Sequence, residues 1–147
     1  MGKVLKIGIS EKKANKIYSL KEVEVIKGKG LINDRHFKEN NHVKSQITLI
    51  EIENVDLYNN VSNTNIDALD FRRNIVTKGI KLNELLNKEF SIGNVKVKAH
   101  DLCRPCKYLQ NLLCQKSLVD ILVDRAGLRC EILSSGKIFI NDIIKIK

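Results

Sequence analysis

A chain of 147 residues, 43% hydrophobic and 29% charged, is expected to fold as one domain spanning 1–147, with a core that needs neither disulfides nor metal staples. The net charge of +9 comes mostly from lysines scattered along the chain, as on a solvating surface, and only 5% of residues are aromatic; this suits a phosphate-bearing partner and speaks against nucleic acid. No run of about 18 apolar residues offers a membrane span. The alternating start Met1–Ser10 lacks the apolar stretch of a secretion signal, so a cytoplasmic setting with four reduced cysteines is expected.

Val4–Ile9 predicts a first strand from its β-branched residues, and Val23–Ile26 a second from its period-two alternation. Gly28-Lys29-Gly30 ends the second strand. Gln46–Ile50 reads as a third strand, and Glu51–Asn60 carries helical spacing through Ile52, Val55 and Leu57. Beyond a polar connector at 61–65, Phe71–Thr77 alternates as a strand on which Arg72 and Arg73 face opposite sides. Leu82, Leu85 and Leu86 mark a short helix entered at Gly79. Glu89–Ile92 and Val95–His100 flank Gly93-Asn94, a hairpin signal. Cys106–Cys114 and Ser117–Val123 read as helices. Leu128–Leu133, Lys137–Ile140 and Ile143–Ile146 are closing strands, the first two joined near Ser135-Gly136. Many short strands with a few short helices predict a mainly β, α+β fold of the barrel kind.

Chemistry concentrates in four segments. In Cys103-Arg104-Pro105-Cys106, two thiols three positions apart can face one centre, Pro105 stiffens the turn, and Arg104 with Lys107 favours thiolate over thiol. The pair reads as a reactive thiolate holding sulfur or a soft metal, as half of a zinc site completed by two of His100, Cys114 or Cys130, or as two small buried residues. The turn Gly30–His36 brings Arg35 and His36 toward one point, suited to an anion or simply to an exposed loop. Of Arg72 and Arg73, one must face a pocket or the interior, where a ligand phosphate or an acid such as Asp34 would meet it. Asp124–Glu131 adds Arg125 and Arg129 on a loop entering a strand; Cys130 and Cys114 read as core packing.

Taken in order, these segments resemble the MOSC family, the module related to the C-terminal domain of molybdenum cofactor sulfurase, in its stand-alone form. The likeness runs from about Gly28 to Ile146 through Asp-Arg-His (34–36), Gln-Ile-Thr-Leu-Ile-Glu (46–51), Arg-Arg-Asn-Ile-Val-Thr (72–77), Cys-x-Pro-Cys (103–106) and Arg-x-Gly-Leu-Arg-Cys-Glu (125–131). It implies a MOSC-type β-barrel and a site for an anionic pterin, the molybdenum cofactor (molybdopterin). Arg35, His36, Arg72, Arg73, Asn74 and Arg104 would hold that cofactor at one barrel end, with Cys106 and Cys103 as the catalytic thiols and Cys106 as the metal ligand or persulfide carrier. Asn33 and Asn141 stand where the family usually has glycine; asparagine is the side chain that best tolerates positive φ, so both turns are expected to persist.

If the chain is an enzyme, the resemblance implies a molybdenum cofactor-dependent oxidoreductase or a sulfur transferase. Family members are also associated with pyridoxal phosphate, but no second domain is expected here to bind it, so persulfide formation would need a sulfur donor or redox partner protein. The alternatives are a non-catalytic sulfur-carrier or partner-binding module, and a protein with a structural zinc site at the Cys103/Cys106 pair.

Overall fold

The computed structural model describes residues 2–12, 16–105, 107–115 and 117–146, with the backbone alone for Lys107 and Tyr108. Its strands are β1 (Gly2–Ile9), β2 (Tyr18–Leu20), β3 (Glu22–Ile26), β4 (Gly30–Leu31), β5 (Ile47–Glu51), β6 (Ile75–Lys78), β7 (Glu89–Ile92), β8 (Val95–Leu102), β9 (Leu128–Ile132), β10 (Gly136–Phe139) and β11 (Ile143–Ile146). Helices α1 (Ile52–Ser62), α2 (Lys107–Leu112) and α3 (Leu118–Ile121) and 3₁₀ turns at Ala68–Phe71 and Leu82–Leu85 complete the described elements.

Strands run in the order β1-β6-β5-β9-β8-β7-β11, and β11 pairs back onto β1, closing a seven-strand mixed barrel as the sequence led us to expect. Only β5 and β6 are parallel in that circuit. A parallel neighbour requires a crossover, and α1 supplies it, burying Val55 and Tyr58 against the outside of the wall. Strand β2 adds to β1 outside the circuit, and β10-β3-β4 form a separate three-stranded sheet.

Period-two alternation builds two cores. Val95, Val97 and Ala99 of β8, Leu128, Cys130 and Ile132 of β9, and Ile47 and Leu49 of β5 fill the barrel, where Val23, Val25 and Ile138 of the small sheet join them. Ile50 and Val76 point outward into a second cluster with Val55, Tyr58, Phe71, Leu118 and Leu122. Tyr58 and Phe71 meet edge-to-face there, centroids 5.8 Å apart at 79°.

Several expectations need correction. Lys137–Phe139 pairs with β3, not with its sequence neighbour β9. The strand predicted over Phe71–Thr77 begins only at Ile75; Phe71 closes a 3₁₀ turn and Arg72 is left-handed, at φ 66°, so the two arginines do not alternate across a strand. Strand β2 was not foreseen, because its three mostly exposed residues are too few to show a period. Asn33 and Asn141 do adopt positive φ, 68° and 74°.

Candidate functional site

Three neighbouring strands carry the floor of the site. The register sets Thr48 of β5 opposite Arg129 of β9, and Arg129 opposite Asp101 of β8. All three face away from the barrel interior, since their strand neighbours Ile47, Leu49, Leu128 and Cys130 belong to the inner core. The pocket therefore lies on the outer face of the wall.

A β-bulge puts Cys103 there. Up to Ala99, odd positions of β8 point inward, a phase that would carry Asp101 and Cys103 into the barrel. The pairing shifts between Ala99 and Asp101, leaving His100 as the extra residue, so that Leu102 packs inward and Cys103 joins the outer cluster. The Cys103 N–H then donates to the Gly127 carbonyl at 2.7 Å. Gly127 has φ +109°, and a Cβ there would lie 1.9 Å from the Leu49 carbonyl oxygen, so only glycine lets the chain just before β9 approach β5 this closely.

The adjoining carbonyl of Ala126 accepts Arg73 Nε at 3.0 Å, and the Phe71 carbonyl accepts Arg73 Nη1 at 3.3 Å. Arg129 is anchored likewise, donating from Nε to the Lys44 carbonyl at 2.8 Å and from Nη2 to Ser45 Oγ at 3.3 Å. Together these side chains enclose a cavity of ≈ 240 Å³, whose walls include Ser45, Thr48, Arg73, Cys103 and Arg129 and whose rim carries His36, Lys44 and Arg104. Among the described residues no carboxylate ion-pairs with Arg73 or Arg129. The rim cations are compensated: Asp101 Oδ2 accepts Lys44 Nζ at 3.4 Å and Oδ1 accepts Arg104 Nη2 at 3.2 Å and the Leu102 N–H at 2.8 Å.

The electrostatics follow. Burial raises the Asp101 pKa, but the Leu102 N–H, Arg104 and Lys44 outweigh it and bring it below its usual value. At His36, desolvation and then Arg35 lower the imidazole pKa, with Arg129 and Arg72 adding to that and Asp34 opposing it, so the ring is neutral at pH 7. Burial pushes the Cys103 thiol up, and Arg73 and Arg129 only partly offset it. The expectation that neighbouring cations hold this pair as thiolate thus fails at Cys103, which is 4% exposed: desolvation wins.

Of the residues singled out from sequence, the pocket gathers His36, Arg73, Cys103, Arg104 and Arg129. Cys106 lies outside the described residues. Arg35 sits off the lining, with Nη1 3.5 Å from Asp34 Oδ1. Asp34, buried, also accepts the Ser10 N–H at 3.1 Å and the His36 N–H at 3.4 Å, and so fixes the turn that aims His36. Arg72 is near enough to bias His36 but does not line the cavity. Asn74 is buried between strands: its Oδ1 accepts from Thr48 N at 3.1 Å and its Nδ2 donates to the Gly8 carbonyl at 3.2 Å.

Sequence reasoning did not assign Lys44, Ser45 or Thr48 to the site, although Thr48 lies within the Gln-Ile-Thr-Leu-Ile-Glu segment; the cross-strand register is what sets Thr48 against Arg129. The remaining zinc candidates disperse. His100 Nε2 lies 2.8 Å from Glu131, Cys130 is sealed in the barrel with its thiol pKa raised well above normal by burial, and Cys114 is exposed. Among the described residues no three His, Cys, Asp or Glu side chains are grouped to hold a metal.

The MOSC domain profile matches residues 33–145. The fold is shared with the YuaD protein from Bacillus subtilis, at 16% identity and TM-score 0.86 over 98% of this chain and 94% of that one. It is shared too with YiiM from Geobacillus stearothermophilus (14%, TM-score 0.78, 100% and 75%) and YiiM from Escherichia coli (13%, TM-score 0.74, 98% and 69%). No curated protein matches the sequence. Among the described residues no helix is long and apolar enough to cross a membrane.

Proposed function

This chain belongs to the MOSC domain family, and on that footing we propose that its outer pocket binds the anionic group of a phosphate-bearing pterin, the molybdenum cofactor, beside the thiol of Cys103, with Cys106 as the second thiol of the chemistry. The observation that carries this reading is the convergence of Arg73 and Arg129, neither paired with a carboxylate among the described residues, on one cavity with a thiol in its wall. Half-buried guanidinium groups without counter-charge favour an anion, and their planar forks suit phosphate. The donor set fits the group: cations and the Ser45 hydroxyl for phosphate oxygens, sulfur for a soft metal. At ≈ 240 Å³ the cavity is below the roughly 300–1,000 Å³ of whole-ligand pockets, so it takes the anionic end of a larger molecule whose remainder lies over the rim.

When bound, such a cofactor supplies oxidoreductase or sulfur-transfer chemistry at its metal. The chain's own part is to bind and orient. Arg73 and Arg129 are held by backbone carbonyls and so are preorganised. Neutral His36 at the rim can accept a proton at pH 7. Cys103 is a protonated thiol there, leaving Cys106 as the sulfur ligand or persulfide carrier in this reading.

The small cavity also favours a second reading, a sulfur carrier without cofactor. In it, a persulfide on Cys106 reacts with the Cys103 thiol, forming the Cys103–Cys106 disulfide and releasing HS⁻; a partner's dithiol then reduces the disulfide. Mass spectrometry of the intact native protein, with molybdenum analysis and pterin fluorescence, separates the two. Bound pterin that is lost in Arg129→Met supports the first reading, and an 32-dalton-class sulfur adduct lost in Cys106→Ser supports the second. A pterin complex equally strong in Arg73→Met and Arg129→Met would overturn the first.

A further inference from the structure

The pocket's four permanent cations fall into two pairs with different surroundings. Arg73 and Arg129 at the wall are fixed by backbone carbonyls and a hydroxyl. Lys44 and Arg104 at the rim converge on one carboxylate, Asp101, from two separate segments of chain. That carboxylate is not a loose surface acid. The bulge at His100 turns it to the pocket face, opposite Arg129, and the Leu102 N–H pins it at 2.8 Å.

We infer that Asp101 is a specificity-determining residue of the pocket: a fixed anion beside its rim that occupies Lys44 and Arg104 and opposes an entering anion in proportion to the entrant's charge. Resting on the anion-pocket reading above, the inference adds what sets its affinity and selectivity. Coulomb energy scales with the product of charges, so Asp101 opposes a dianion twice as strongly, in free energy, as a monoanion at the same place. The wall pair attracts both. Selection then goes to ligands that add other contacts to their charge, and free inorganic dianions are held weakly.

The test measures sulfate and nitrate binding by titration calorimetry in low-salt buffer at pH 7.5, on the full chain and on Asp101→Asn and Asp101→Glu. The asparagine amide oxygen can still accept the Leu102 N–H, so the backbone anchor survives. Asp101→Asn is expected to tighten sulfate about tenfold and nitrate about threefold, the ratio a charge effect demands. Both gains shrink toward zero at 0.5 M chloride, about one Debye length of ~4 Å, and Asp101→Glu stays near the parent. A merely structural role for Asp101 would move both anions alike and would not respond to salt in this way. Sulfate bound by the parent and unchanged or weakened in Asp101→Asn overturns the inference alone. Sulfate bound by neither protein overturns both the inference and the anion-pocket reading.

Discussion

Gly127→Ala should be among the most damaging single-methyl changes in the chain. A Cβ at this position would lie 1.9 Å from the Leu49 carbonyl oxygen and 3.0 Å from its carbonyl carbon, and real Cβ atoms essentially never come within 3.0 Å. The oxygen must therefore retreat by more than about 1 Å, and it is main chain, so no side-chain rotation can relieve the clash. A non-glycine residue at φ +109° adds roughly 1–3 kcal/mol of backbone strain, and overpacking about 1–3 kcal/mol more. The expected loss is about 4 kcal/mol against a typical total of ~5–15. At roughly 2–4 °C per kcal/mol for a chain of this size, Tm should fall by about 8–16 °C. Gly28→Ala is the matched control: φ is also positive, at +76°, but nothing lies within 4 Å, so only about 1–2 kcal/mol of conformational cost applies. Urea and thermal melts followed by circular dichroism compare the two. Because Gly127 and Ala126 carbonyls hold Cys103 and Arg73, Gly127→Ala should also speed Cys103 alkylation below its melting range. Equal Tm losses in the two variants would refute the close-approach reasoning.

Arg129→Met should weaken sulfate binding by roughly 10–100-fold, the value of a charged hydrogen-bond donor of about 1.5–3 kcal/mol, and calorimetry reads it directly. Cys103 and Cys130 have folded pKa values raised by burial, so each contributes stability present below the ordinary thiol range and lost as pH rises through the folded value; urea midpoints from pH 7 to 10.5 should fall less steeply in the Cys103→Ala/Cys130→Ala double variant than in the parent. His36, with its pKa lowered, binds its proton more readily in the unfolded chain; it should titrate below 6.5 by NMR, and its share of stability should be lost as pH falls through 6.5 toward the folded value.

The fold was legible where local pattern and tertiary role agree. β7 and β8 announce themselves by alternation around Gly93-Asn94, and the Asn residues at 33 and 141 by their tolerance of positive φ. It was illegible where pairing is non-local. Nothing within Gly136–Phe139 says that its partner is Glu22–Val25, more than a hundred residues earlier, rather than the strand just before it. Arg72 defeats a period-two reading because one left-handed residue resets the chain's direction.

At the site, residue types were readable but phase and charge balance were not. Cys103 continues the odd-numbered inward series of β8 in sequence, and only the extra residue at His100 moves it to the outer face. A positive net charge near cysteines suggested thiolate, yet a thiol's ionisation depends on what replaces its lost water. At Cys103 that replacement is two guanidinium groups already bonded to carbonyls and a hydroxyl, and they do not make up for desolvation. The same two groups, poor activators of a buried thiol, are good receptors for an anion, because their own hydrogen bonds fix them without neutralising them. Binding an anion there would further disfavour ionisation of Cys103, so anion binding and thiolate formation at this residue oppose each other. Sulfate should therefore slow the alkylation of Cys103 at alkaline pH in the parent and much less in Arg129→Met; an unchanged rate in the parent would break the link between pocket and thiol.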